Sequence, residues 1–313
     1  MFARVGLGIF NTYNKPVLVI RPALFFLNCL VFFRNGYICG SKEIYRMELY
    51  HYTTLESFFK MLSGAGESGF LDMELSNYMY SKDASGEPYG LSILRRAIGM
   101  YELNHQIPSE LSKVEVPFFR NDRRMLVGPE QEMYIYPLTE CQDSMSWWKV
   151  TGKSTVQVAI GLDYKSLVEY CMNNNKFLLK CKYDNEAVMD VFVKQFENEY
   201  DTFDFDEEHS RFSMRTKFFS MMYNACLEVK DPALLDEKEW RIASFVSPQE
   251  VDYVFKNGLI EPIEILKLPS SVLKSICIRA NEHFELIISG ILGLLEKEGF
   301  DPELIEIRKS ALQ

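Results

Sequence analysis

Three short segments carry the residue types that could hold a ligand or stabilise a developing charge. The first is Leu49-Tyr50-His51-Tyr52-Thr53-Thr54-Leu55-Glu56, with one imidazole between two phenols. The second is Asp143-Ser144-Met145-Ser146-Trp147-Trp148, with two adjacent indoles. The third is Glu237-Lys238-Glu239-Trp240-Arg241-Ile242, where a carboxylate and a guanidinium stand two apart. In a strand that spacing puts Glu239 and Arg241 on one face and Trp240 and Ile242 on the other. The three segments are expected to meet in one pocket. Each also has a plainer role. His51 at a strand–helix junction can be a structural hydrogen-bonder, Trp147 and Trp148 can be core, and Glu239 with Arg241 can be a cross-strand ion pair.

Other chemistries find little in the chain. There is no P-loop, no G-x-G-x-x-G, no G-x-S-x-G and no H-E-x-x-H. The four histidines are scattered without metal-ligand spacing, so no metal is expected. The seven cysteines include no C-x-x-C pair and suit reduced cytosolic thiols. A net charge of −10 argues against general DNA binding and against an anionic membrane surface. The basic run Arg120-Asn121-Asp122-Arg123-Arg124 reads as a solvated loop. The acidic run Asp201 to Glu208 reads as a linker or a helix N-terminus rather than a nuclease metal site.

The elements that must position these residues are read from periodicity. Strands are expected over 47–52, 70–76, 133–138, 156–162, 177–183, 238–246, 260–268, 275–279 and 304–307. Helices are expected from 54 to 62, 89–105, 144–150, 165–172, 186–200, 211–229 and 283–298. Thr53 and Glu56 have capping-box spacing, followed by a stripe of Leu55, Phe58, Phe59 and Leu62. Pro137 marks the end or the edge of its strand. Strands and helices mix without regular βαβ alternation, so the expected class is α+β, with a mixed, mainly antiparallel sheet and surrounding helices.

Residues 1–46 differ from the rest, being almost continuously apolar from Pro16 to Phe33 but interrupted by Arg21, Pro22 and Asn28. Three readings stand: upstream sequence read in frame, a membrane anchor, or a signal peptide. The first is preferred. Lys42-Glu43 can be encoded by a purine-rich ribosome-binding sequence, three codons before Met47. Residues 47–313 then form a single domain, cytoplasmic and without membrane contact.

From Met47 onward, the order of motifs resembles the bacterial family named domain of unknown function 2971. The matching pieces are Tyr50-His51-Tyr52-Thr53, Ser144-Met145-Ser146-Trp147-Trp148, Val158-Ala159-Ile160-Gly161-Leu162-Asp163 and Glu237-Lys238-Glu239-Trp240-Arg241. Residues 81–88 stand where that family has an Asn-Asp-Pro-x-Glu-like turn, so no role of that turn carries over.

The order of motifs is also similar to that of ADP-ribosyltransferases, with a histidine on the first strand, an aromatic in the middle and a glutamate on a late strand. That similarity implies an ADP-ribosyltransferase-like fold and cleavage of the nicotinamide–ribose bond of NAD through an oxocarbenium-like state. Glu239 is then the catalytic carboxylate. His51 hydrogen-bonds the other ribose of NAD, Tyr52, Trp147 or Trp148 stacks on nicotinamide, and Arg241 binds pyrophosphate. NAD or a related nucleotide is the implied partner and the acceptor is open. The setting would be phage defence or a toxin system. The competing expectation is a non-catalytic module that senses nucleotide or nucleic acid in a bacterial defence system.

Overall fold

The computed structural model describes residues 47–80, 89–105, 132–151, 156–200, 227–256, 258–280 and 282–312. All lie in one compact unit, Glu43–Gln313. The N-terminal extension, the basic run, the loop over 81–88, the acidic run and most of the helix expected over 211–229 lie outside the described residues.

Among the described residues ten strands form one sheet: β1 (Glu48–Thr54), β2 (Phe70–Asn77), β3 (Glu132–Thr139), β4 (Val156–Asp163), β5 (Phe177–Lys180), β6 (Glu239–Val246), β7 (Asp252–Lys256), β8 (Leu259–Pro269), β9 (Leu273–Ala280) and β10 (Glu306–Lys309). The described helices are α1 (Leu55–Leu62), α2 (Ala65–Ser68), α3 (Tyr89–Asn104), α4 (Met145–Val150), α5 (Tyr164–Asn173), α6 (Asn185–Tyr200) and α7 (Phe284–Lys297). Every ladder between named strands is antiparallel except β9–β10, so the class is α+β with a mixed, mainly antiparallel sheet. Among the described residues no helix is long and apolar enough to cross a membrane.

The sheet forks at β3. β6 pairs with β3 over its whole length and fills one edge. The other edge is shared. Ile135 and Tyr134 pair with Ser76 and Asn77 of β2, whereas Thr139 pairs with Tyr50 of β1. One arm then continues β1-β4-β9-β10 and the other β2-β8-β7. Pro137 sits between the two junctions. Its expected place at a strand end or on an edge strand is not the one it takes: it lies inside a strand paired on both edges. A proline lacks the N–H that would extend a ladder, and here it stands where pairing with β1 stops and pairing with β2 has not begun.

Local signals set the helices. Thr54, not Thr53, caps α1: its Oγ1 accepts from the Ser57 N–H at 3.1 Å. Phe58, Met61 and Leu62 face inward, while Phe59, expected in the apolar stripe, is 54% exposed. Asp163 caps α5 by accepting from the Ser166 N–H at 2.8 Å.

One face of the sheet carries the main core. Leu49, Leu138, Tyr136, Ile160, Trp240, Ile242, Leu71 and Met73 pack there with residues of α1, α5 and α7. The opposite face carries a smaller cluster of Tyr50, Tyr52, Ala159, Cys277, Trp147 and Trp148.

Candidate functional site

Strand registry decides which expected site residues meet. Tyr50, Thr139 and Glu239 lie in one row across β1, β3 and β6, and Pro137 is opposite Arg241. Residues directly opposite in an antiparallel ladder share a face, and alternate residues along each strand share it too. Tyr50, Tyr52, Glu239 and Arg241 therefore occupy one face. His51, one residue off, occupies the other. The common pocket for His51 and Glu239 is not formed.

On the Glu239 face two clusters adjoin. In the aromatic one, Tyr52 stacks on Trp147 at 5.9 Å between ring centroids and meets Trp148 edge-on at 4.5 Å. The Tyr52 hydroxyl donates to the Cys141 carbonyl and accepts from the Ser144 N–H, both at 2.8 Å. This fixes the loop that leads into α4. Both indoles are buried with their N–H groups engaged. Trp148 donates to Asp143 Oδ1 at 2.7 Å and Trp147 to the Glu237 carbonyl at 2.8 Å. Desolvation pushes the Tyr52 phenol well above its ordinary range, so it stays neutral. These rings behave as core, and neither indole face is offered to a ligand by this packing.

The second cluster is a buried charge network. Lys230 bonds both Glu237 and Glu239, while Arg241 Nε donates to Glu239 Oε1 at 2.5 Å. Glu239 is 3% exposed and Arg241 1%. Burial alone would raise the Glu239 carboxyl, but Arg241 and Lys230 outweigh it and hold it below the usual carboxylate range. Lys230 Nζ takes Oε2 and Arg241 takes Oε1, so both oxygens are committed. Two cations balance two carboxylates, which is how buried charges are tolerated. The pair Glu239–Arg241 runs along one strand, not across two as expected. The backbone is satisfied as well. Tyr183 Oη accepts from the Glu239 N–H, and the Glu239 carbonyl accepts from Cys181 N, both at 2.9 Å.

Lys230 and Glu237 were not legible as partners of Glu239. Glu237 closes the short 3-10 stretch Pro232–Glu237, and Lys238 adopts a left-handed conformation, φ 42°, to start β6. Lys230 arrives by a chain path that no local spacing announces. Trp147 joins the two clusters, because Lys230 Nζ lies 5.8 Å from its ring centroid.

His51 sits in the fork. Its Nδ1 donates to the Pro137 carbonyl at 2.9 Å, and its ring stacks on Tyr136 at 4.0 Å. Desolvation, against the opposing pull of that carbonyl, lowers its pKa to about 4. The imidazole is therefore neutral near pH 7, with Nδ1 protonated and Nε2 its acceptor. Compared with protein-family models, with curated proteins and with solved structures, the chain matches none.

Proposed function

We propose that the chain is a nucleotide-sensing module that holds a ribose-bearing ligand at the sheet fork and does not cleave it. One observation carries this reading: His51 and Glu239 lie on opposite faces of the sheet. One dinucleotide in a single pocket cannot be held at one ribose by His51 and stabilised at the other by Glu239 when the two side chains face opposite sides of the sheet. His51 suits the binding half. A neutral imidazole whose Nδ1 is already fixed presents Nε2 to a hydroxyl donor, and it keeps that acceptor throughout the neutral pH range. The order of motifs that resembles domain of unknown function 2971 belongs to the same proposal, as does a place in bacterial defence.

The test is ligand-induced change in melting temperature with NAD, ATP and a short single-stranded RNA. A rise with at least one, lost in His51→Gln relative to that variant's own baseline, supports the reading. No rise with any of them overturns it.

A second reading, an ADP-ribosyltransferase-like fold that cleaves NAD, is favoured by one feature. Glu239 is held ionised, the state an oxocarbenium-stabilising carboxylate needs. It requires Lys230 and Arg241 to release the carboxylate and the ligand to approach from the Glu239 face.

A further inference from the structure

β7 is the last strand of its arm, and among the described residues it pairs with β8 alone. Its register with β8 runs unbroken from Asp252 to Lys256, with neither a bulge nor a proline in β7. Edge strands are usually blunted by such devices, because unpaired N–H and C=O groups recruit another strand. Here the side chains recruit as well. Tyr253 is 62% exposed, Phe255 80% and Ile260, opposite Phe255, 67%. Registry through β8 and β2 places them on the face that buries Leu71, Met73, Leu266 and Leu268. The apolar face of the sheet thus continues past its buried part onto an open hairpin.

The sequence of β7 is Asp-Tyr-Val-Phe-Lys. We infer that β7 pairs antiparallel with β7 of a second copy of this chain, about a two-fold axis at Val254. The strand is complementary to itself in that register and in no parallel one. Asp252 meets Lys256 of the second copy, and Lys256 meets its Asp252, with the two valines between them on one face. Tyr253 meets Phe255 on the other face, twice. A two-fold contact of this kind is closed, with the same patch used on both sides, so it stops at a dimer instead of growing into a filament. Opposite charges and aromatic pairs directly across a ladder are the favourable cross-strand combinations. The two arms become one continuous sheet, and the exposed aromatics cover each other.

The test is sedimentation equilibrium of the full chain, followed by charge reversal. The wild type is expected to be a concentration-dependent dimer. D252K and K256D each turn two attractive pairs into two repulsive ones, and each is expected to weaken self-association about tenfold or more. In an equimolar mixture of the two variants, each lysine of one strand again faces an aspartate of the other across the axis. The mixture should therefore associate about as tightly as the wild type. Both changes are on exposed side chains, and an unaltered melting temperature of the monomer checks the fold. A wild type that stays monomeric at its highest soluble concentration overturns the inference. So does a dimer that both reversals leave intact, or a mixture that associates no better than either variant alone.

Discussion

The Nδ1–H of His51 donates to the carbonyl of Pro137 at the point where β1 and β2 part from β3. The imidazole N–H supplies a donor to the Pro137 carbonyl, while the ladder bond that proline's missing N–H would have donated stays unmade. The imidazole is neutral in the fold, with a pKa of about 4, against about 6.5 unfolded. Its contribution to stability is therefore complete above about pH 6.5 and lost as pH falls toward about 4, amounting to about 3 kcal/mol. Urea unfolding of wild type and His51→Gln, compared from about pH 7 to about pH 4, should show the wild type losing more stability. Parallel losses would mean that the His51 pKa does not differ between the folded and unfolded states.

The network around Glu239 makes a non-additive prediction. Lys230→Met leaves two buried carboxylates facing Arg241 alone and should cost about 3–5 kcal/mol. Glu237→Gln leaves an excess cation and should also destabilise. The double variant restores neutrality with the Glu239–Arg241 pair intact, so its cost should fall short of the sum by about 1 kcal/mol or more. Denaturant unfolding of the four proteins gives the coupling. Simple additivity would show that these charges do not act as one unit.

Asp143 ties the aromatic cluster to the C-terminal residues. It accepts from Trp148 Nε1, from the Ser310 hydroxyl and from the Ala311 N–H, each at 2.7 Å. Asp143→Ala strands the N–H groups of Trp148 and Ala311, each costing about 1–3 kcal/mol where it stays buried, while the Ser310 hydroxyl still has the Leu312 carbonyl at 3.0 Å. A loss of about 2 kcal/mol or more in unfolding, with faster carboxypeptidase trimming of the terminus, is expected. Trimming at the wild-type rate would show that Asp143 does not hold that end down.

Much of the fold was legible because it rests on local patterns. The run Val156 to Leu162 reads as a buried strand and is one, and the alternation that puts Glu239 with Arg241 and Trp240 with Ile242 holds in β6. β7 was missed because Asp252, Tyr253, Val254, Phe255 and Lys256 show no buried face. Its signal was instead in the sequence, the hairpin dipeptide Asn-Gly at 257–258, between Lys256 and Leu259, which pair. The site was harder. His51 and Glu239 stand in short motifs whose order is readable, but which faces they share depends on the Tyr50–Thr139–Glu239 register. That register joins strands far apart in the chain, and one residue of shift reverses it. Lys230 escaped for the same reason, since its partners are set by tertiary path and not by spacing.

The most direct measurement is nicotinamide release from NAD by purified chain, with Glu239→Gln alongside. With both oxygens of Glu239 bound by Lys230 and Arg241, the predicted result is no release by either protein, and a drop in unfolding free energy of about 3–5 kcal/mol for the variant. Nicotinamide release by the wild type, abolished in a Glu239→Gln protein of unchanged stability, would contradict the account and make Glu239 a catalytic carboxylate.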